Sequence, residues 1–184
     1  MNAIGKSAKV CMKILEVGHW VATGLMAAAA ILSLAAPHLL GYVMNVDSLS
    51  EGGELSAYGF TVFASPDSGE IYYPAVFLFG IGATVIFVLM ALVFRHLYQI
   101  ISKAESDTPF HADNIARLKR ISIFCMIVPL VGIVMSILIR LIIGTDAAEL
   151  SMDQSGIIMG IIVLCLTQYF IRGAQLEKDV DGLL

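Results

Sequence analysis

The stretch Pro74–Ile101, PAVFLFGIGATVIFVLMALVFRHLYQII, decides the fold. Its first charge is Arg95. Before it lie about 20 apolar residues, the length a helix needs to cross the roughly 30 Å hydrocarbon core of a bilayer. The whole stretch as a helix would be about 42 Å long, at about 1.5 Å per residue. Its charged end, with Arg95, His96, Gln99 and Lys103, therefore reads as projecting beyond the core.

Three further stretches have the same character, giving spans at about 14–36, 74–101, 121–143 and 154–171. Composition agrees with this count. Hydrophobic residues make up 58% of the 184, and mean hydropathy is +0.86. Charged residues are 14%, well under the roughly 25% of soluble domains. A soluble domain of this size lacks the interior to hide so much apolar surface. Soluble enzymes, disordered chains and direct nucleic-acid binders are therefore excluded as classes. Lipid offers the backbone no partners, so the spans must be helices. The first span has a basic start, but its apolar run of about 22 residues exceeds a usual signal-peptide core, so it reads as retained.

Charge sets the expected orientation. Lys6, Lys9 and Lys13 precede the first span. Arg95, Lys103, Arg117, Lys119 and Arg120 lie between the second and third apolar cores, and Arg172 and Lys178 follow the fourth. These are ten of the eleven basic residues, so both termini are expected in the cytosol. The opposite side carries Asp47, Glu51, Glu54, Asp67 and Glu70 in a long loop, 37–73, and three acids in Gly144–Asp153. The expected fold is an all-α integral membrane protein, a four-transmembrane-helix bundle with a long external loop containing a small β-hairpin. The chain is one membrane domain, with a cytosolic link at 102–120 and a cytosolic tail at 172–184.

In the external loop, Tyr58–Ala64 is aromatic and β-branched, Ser65–Gly69 is a turn cluster, and Glu70–Tyr73 can return as a second strand. Such a hairpin is marginal alone and must pack on helix ends or on Tyr42, Val43 and Val46. In the cytosolic link, Asp107, Thr108 or Asp113 can cap a helix, with Pro109 near its first position. Ile115, Leu118, Ile121 and Ser122 then share one face, an amphipathic lead-in suited to a leaflet surface or a cytosolic partner. Pro129 predicts a kink. Close helix approach is expected at Gly156–Gly160, at Gly18, Ala22, Thr23, Gly24 and Ala28, and at Gly132 and Ser136. Cys11, Cys125 and Cys165 form no disulfide or metal spacing and read as packing residues.

Ionisable residues inside spans are candidate sites. Arg140 breaks the charge pattern. It either pairs with Asp146 or Glu149 or binds an anionic or carbonyl-bearing ligand. Glu16 and His19 lie about one turn apart, and Gln168 and Thr167 can reach them if the bundle closes there. His19 and His96 lie at similar distances from Lys13 and Lys103, so a haem held between two helices is a further reading. The His19-Trp20 pair also faintly resembles membrane cytochromes of the b type. No phosphate loop, HExxH or GxSxG appears, so no metal or other cofactor is expected.

Pro109-Phe110, followed by Asn114, Arg117, Leu118 and Ile121, opens the third span. The segment after the fourth reads Phe170-Ile171-Arg172-Gly173-Ala174-Gln175-Leu176-Glu177-Lys178-Asp179-Val180-Asp181. With four spans and a long outer loop, this resembles the bacterial family catalogued as domain of unknown function 2975. The layout matches throughout, and the residues match best from about Arg95 onward. The ending Asp181-Gly182-Leu183-Leu184 departs from the hydrophobic, threonine-containing end of that pattern. The resemblance implies an inner-membrane protein without assigned activity, and a cytosolic helix-turn-helix regulator as partner. Pro109, Phe110, Asn114, Arg117 and Leu118 are then the candidate partner-binding residues. Three functions follow as expectations. The first is a non-enzymatic sensor or regulatory partner. The second is a small-molecule carrier or efflux component, which would need a homo-oligomer because four spans make a thin transporter. The third is a haem-binding electron-transfer subunit using His19 and His96.

Overall fold

A computed structural model describes residues 3–43, 53–64, 71–103, 110–151 and 153–181. The elements in chain order are α1 (Ala3–Ala35), α2 (Pro37–Val43), β1 (Glu54–Ala57), β2 (Phe60–Phe63), α3 (Tyr73–Lys103), α4 (Ala112–Ile142) and α5 (Gln154–Asp181). Four helices, α1, α3, α4 and α5, are long and apolar enough to cross a membrane. The most apolar windows of α3 and α4 are 44% and 39% buried, but those of α1 and α5 only 11% each. The chain's own packing therefore leaves most of the apolar surface of α1 and α5 uncovered.

Local signals explain the helix boundaries. α1 stops before Pro37, which opens α2 at a first-turn position where its missing N–H costs nothing. The Ala36 carbonyl then accepts from Leu39 and Leu40. Pro74 similarly sits in the first turn of α3, and the Tyr72 carbonyl receives Ala75 and Val76. α4 starts after His111, whose carbonyl accepts from Asn114 and Ile115 and whose ring Nδ1 accepts the Asp113 N–H at 3.3 Å. The cap is thus His111 and not Asp113; the alternatives Asp107 and Thr108 lie outside the described residues. α4 runs unbroken through Pro129, and α5 continues well past Ile171 to Asp181.

The chain divides into two compact units, each discontinuous in sequence. One comprises Met1–Gly18, Leu89–Ile127 and Ser155–Leu184 and is helical throughout its described core. Val93, Ile121 and Cys125 form its buried cluster, with Leu97, Ile100, Leu118, Phe124 and Val163 packed around it. The lead-in face of α4 therefore packs on α3 and α5 within the chain. Gly160 belongs to the same packing: a Cβ there would lie 2.5 Å from Met126 Cγ and 2.9 Å from the Ser122 carbonyl oxygen. The small-residue step of the fourth span thus serves a contact between α5 and α4.

The other unit comprises His19–Val88 and Val128–Gln154 and contains the sheet. β1 and β2 pair antiparallel, with Glu54 opposite Phe63 and Ala57 opposite Phe60. The turn between them is Tyr58-Gly59, so the expected pairing across Ser65–Gly69 is not the one formed. Tyr58 is in the turn, and Ile71 and Tyr72 are not strand; Ser65–Glu70 and Val46 lie outside the described residues, as do the side chains of Tyr42 and Val43. Both turn residues have positive φ, +51° at Tyr58 and +77° at Gly59, as a type I′ hairpin requires.

The loop after α4 extends this sheet. Val62 forms a bridge with Ala148, Phe63 N–H donates to the Ala147 carbonyl, and Glu149 N–H donates to Thr61. Phe60 is 1% exposed and stacks on Phe79 at 5.3 Å. A Cβ at Gly82 would sit 2.7 Å from the Phe60 ring, and one at Gly132 would sit 3.4 Å from Phe60 Cβ. These two glycines of α3 and α4 make the slot that Phe60 fills. On α1, Gly18 and Gly24 face open space, contrary to the close approach expected there. That approach is instead made by Gly80 of α3 against Met26 and Ala30.

Candidate functional site

Two groups of polar residues stand out, one in each unit. In the sheet-containing unit, the hairpin tip reaches the middle of two helices. The Tyr58 hydroxyl lies 2.5 Å from His19 Nε2, at the midpoint of α1. Phe87, near the midpoint of α3, packs against both rings with centroids 5.8 and 6.0 Å away. Thr23 Oγ1 donates to the His19 carbonyl. Gly59 lies so close to Asp153 that a Cβ would collide with it at 2.5 Å, and Ser151 Oγ donates to the Gly59 carbonyl at 3.4 Å. A tyrosine in the left-handed region costs about 1–2 kcal/mol. The contacts of Tyr58 and Phe60 on either side offset that strain. Burial raises the Tyr58 pKa above its ordinary value of 10.0, because the phenolate would lose hydration.

Arg140 belongs to the same unit but not to the tip. Its Nη1 donates to the Ala148 carbonyl at 3.3 Å. Among the described residues no ion pair joins it to Asp146 or Glu149. The guanidinium braces the strand-like part of the loop, and Asp146 instead receives Thr145 Oγ1.

The polar group of the helical unit lies where α3, α4 and α5 end or begin. Arg117 Nε donates to Gln99 Oε1 at 3.2 Å, and its Nη1 donates to Asn114 Oδ1 at 3.2 Å. Asp113 lies 3.7 Å from Arg117 and 3.5 Å from Lys103. His96 stacks on Phe124 and lies 3.4 Å from Gln99. Asn114 is 3% exposed and Leu118 packs into the buried cluster. Thus Asn114, Arg117 and Leu118, expected as partner contacts, are committed to internal contacts. Pro109 lies outside the described residues.

Phe110 has a different role. Its ring meets Phe170 edge-on at 5.7 Å and sits so close to Gly173 that a Cβ there would overlap it. Beside this contact is an open groove of about 430 Å³, lined in part by His111, Ile115, Ile171, Ala174, Gln175 and Lys178. The two sequence elements singled out as cytosolic, the link and the tail, meet here.

Glu16 is buried and paired with Lys13 at 3.0 Å. Lys9 and Lys13 lie over the Tyr98 ring at 5.7 and 5.1 Å. Thr167 returns its hydroxyl to the Val163 carbonyl, as Ser33, Thr84 and Ser122 do to their own helices. Gln168 is exposed, beside Tyr169, Cys165 and Arg172. Within the helical unit Glu16 and Thr167 thus make separate local contacts, and no hydrogen bond joins them to Gln168 among the described residues. No cluster of three metal-ligating side chains occurs among the described residues.

Sequence reasoning missed Tyr58, Gln99 and His111. Tyr58 carried a signal, since an aromatic followed by glycine between two strand-like runs admits a two-residue turn. Gln99 and His111 had none, because their roles depend on which helices adjoin. No family model, no curated protein and no solved structure matches this chain.

Proposed function

We propose that this chain is a non-enzymatic, multi-pass protein of a bacterial inner membrane, with both termini cytosolic, that senses on its outer side and holds a cytosolic helix-turn-helix regulator. The resemblance to domain of unknown function 2975 is part of this reading. One observation carries it. Phe110 from the link seats on Phe170 and Gly173 from α5, and a mostly apolar groove with Lys178 and Glu177 at its edge opens beside the contact. A groove of this composition suits an amphipathic helix of a partner.

The loop expected on the outer side supports a sensing role, because its hairpin tip reaches inward to α1 and α3. Its strained turn is held by His19 and Phe87, two residues on two different long helices. A ligand or force that draws the tip away changes the environment of both helices together. The carrier reading asks for Arg140 or Glu16 to face a cavity. Their contacts with Ala148 and Lys13 lend it no support. Likewise His19 and His96 already have aromatic and hydrogen-bonding neighbours within their own units.

The test is crosslinked capture of the tagged protein from native membranes, comparing the original chain with Ala174→Trp. The indole would occupy the groove, which Ala174 and Phe110 both line. A retained helix-turn-helix protein whose recovery falls about tenfold in the variant is the expected result. Equal recovery, or no such protein with the original chain, overturns the reading.

A further inference from the structure

One exposed face of α5 is built like a lipid site and not like a core. Gln168, Tyr169 and Arg172 occupy a single turn of the helix and, with Cys165, line a shallow hollow of about 230 Å³. All four are exposed, Tyr169 to 69%. Among the described residues no carboxylate pairs with Arg172. The guanidinium, the amide and the phenol therefore present hydrogen-bond donors side by side. Toward the start of α5, Cys165, Ile161 and Ile158 continue the same stripe at intervals of three and four residues, and all are exposed. From Arg172 to Ile158 the helix rises about 21 Å, enough to lie along the acyl chains of one leaflet.

We propose that this face binds an anionic phospholipid, with its phosphodiester held by Arg172, Gln168 and Tyr169 and its acyl chains lying along Cys165, Ile161 and Ile158. The inference rests on the reading that α5 spans a bilayer. Charge argues for an anionic occupant: Arg172 is the one charged residue among the four that line the hollow, and α5 carries no acid from its start at Gln154 up to Glu177. A guanidinium recognises phosphate through paired N–H donors, and an aromatic phenol at the same level suits the headgroup region. Gln168, expected inside the bundle, instead becomes a headgroup contact. A zwitterionic headgroup offers the same phosphate but adds a cation that Arg172 repels, so the site should discriminate between the two.

The experiment uses the full chain, stripped of lipid in detergent and titrated with phosphatidylglycerol or phosphatidylcholine while bound lipids are counted by native mass spectrometry. The original chain should bind phosphatidylglycerol at least several-fold better than phosphatidylcholine. Arg172→Gln should weaken phosphatidylglycerol binding about fivefold, the worth of one cationic contact at a membrane surface. Arg95→Gln, an exposed basic residue on α3, should leave it unchanged. Equal loss in both variants means that charge acts without a site, and no loss in Arg172→Gln means that another face binds; either result overturns the proposal. Extraction of the chain from cell membranes by alkaline carbonate is scored separately. Release there would refute the membrane reading itself, whereas retention with no lipid preference would refute only the lipid site.

Discussion

The two units solve the same problem by different means. The helical unit satisfies its backbone within helices and joins them by side chains: a buried apolar cluster, a glycine contact and the Arg117 bridge. The sheet-containing unit brings non-helical backbone to the middle of α1 and α3. It must pair that backbone with more backbone, and it does so through β1, β2 and residues 147–149. Backbone taken out of water must be enclosed with partners for its polar groups. Val62, Ala64 and Ala148 are almost fully buried, so here the enclosure is protein. The contrast teaches that glycine has two uses in this chain. Gly160 lets two helices touch, whereas Gly82 and Gly132 leave room for an inserted aromatic ring.

The sharpest way to break this comparison is Phe60→Ala. It should cost about 3–5 kcal/mol, the usual range for emptying a buried aromatic site, measured by chemical unfolding in detergent. Hydrogen exchange should show lost protection in 19–88 and 128–154 and little change elsewhere. Uniform loss would mean that the two units are one cooperative body. Gly160→Leu attacks the other unit, where the obstacle is the Ser122 carbonyl and cannot swing aside. A cost of about 2–3 kcal/mol is expected, with exchange rising first in α5. Arg117→Ala removes two hydrogen bonds and strands the buried Asn114 amide. About 2 kcal/mol should be lost, and a smaller loss on changing Asn114 to Ala as well would identify the stranded amide as the cause.

Tyr58→Phe keeps the ring and removes the hydroxyl that meets His19. About 1 kcal/mol is expected. A stabilised variant would show that the turn, not the contact, fixes the hairpin. The smallest effect concerns pH. Tyr58 has a raised pKa in the folded chain, so its neutral form contributes stability that is fully present below pH 10 and is lost as pH rises through the raised value. Unfolding followed across that alkaline range should show a decline that Tyr58→Phe lacks.

Much of the helical unit was legible in the sequence, because its signals are local. Apolar length marks the helices and Pro74 marks one start; the apolar face through Leu118 and Ile121 is visible too, but nothing local says that it meets α3 and α5 and not a leaflet or a partner. The hairpin was legible as a strand-forming region but not in register. Ser65–Gly69 is the stronger turn by composition, and nothing near Tyr58 says that Phe60 will find a slot between Gly82 and Gly132. That slot exists only when α3 and α4 adjoin. The candidate site divides the same way. Phe110 was singled out by position and does lie beside a groove, but Asn114 and Arg117 carry polar side chains that look available and are not. Their partner, Gln99, sits on another helix.

The strand-like stretch at Ala147–Glu149 also dictates an order of manufacture. It is translated after β2, α3 and α4, yet it supplies the outer edge of the sheet. Until the ribosome has passed it, Thr61 and Phe63 hold backbone groups open along an exposed strand edge, a template for any neighbouring chain. A chain truncated before Ala147 would therefore keep its long helices and carry a permanently unfinished sheet.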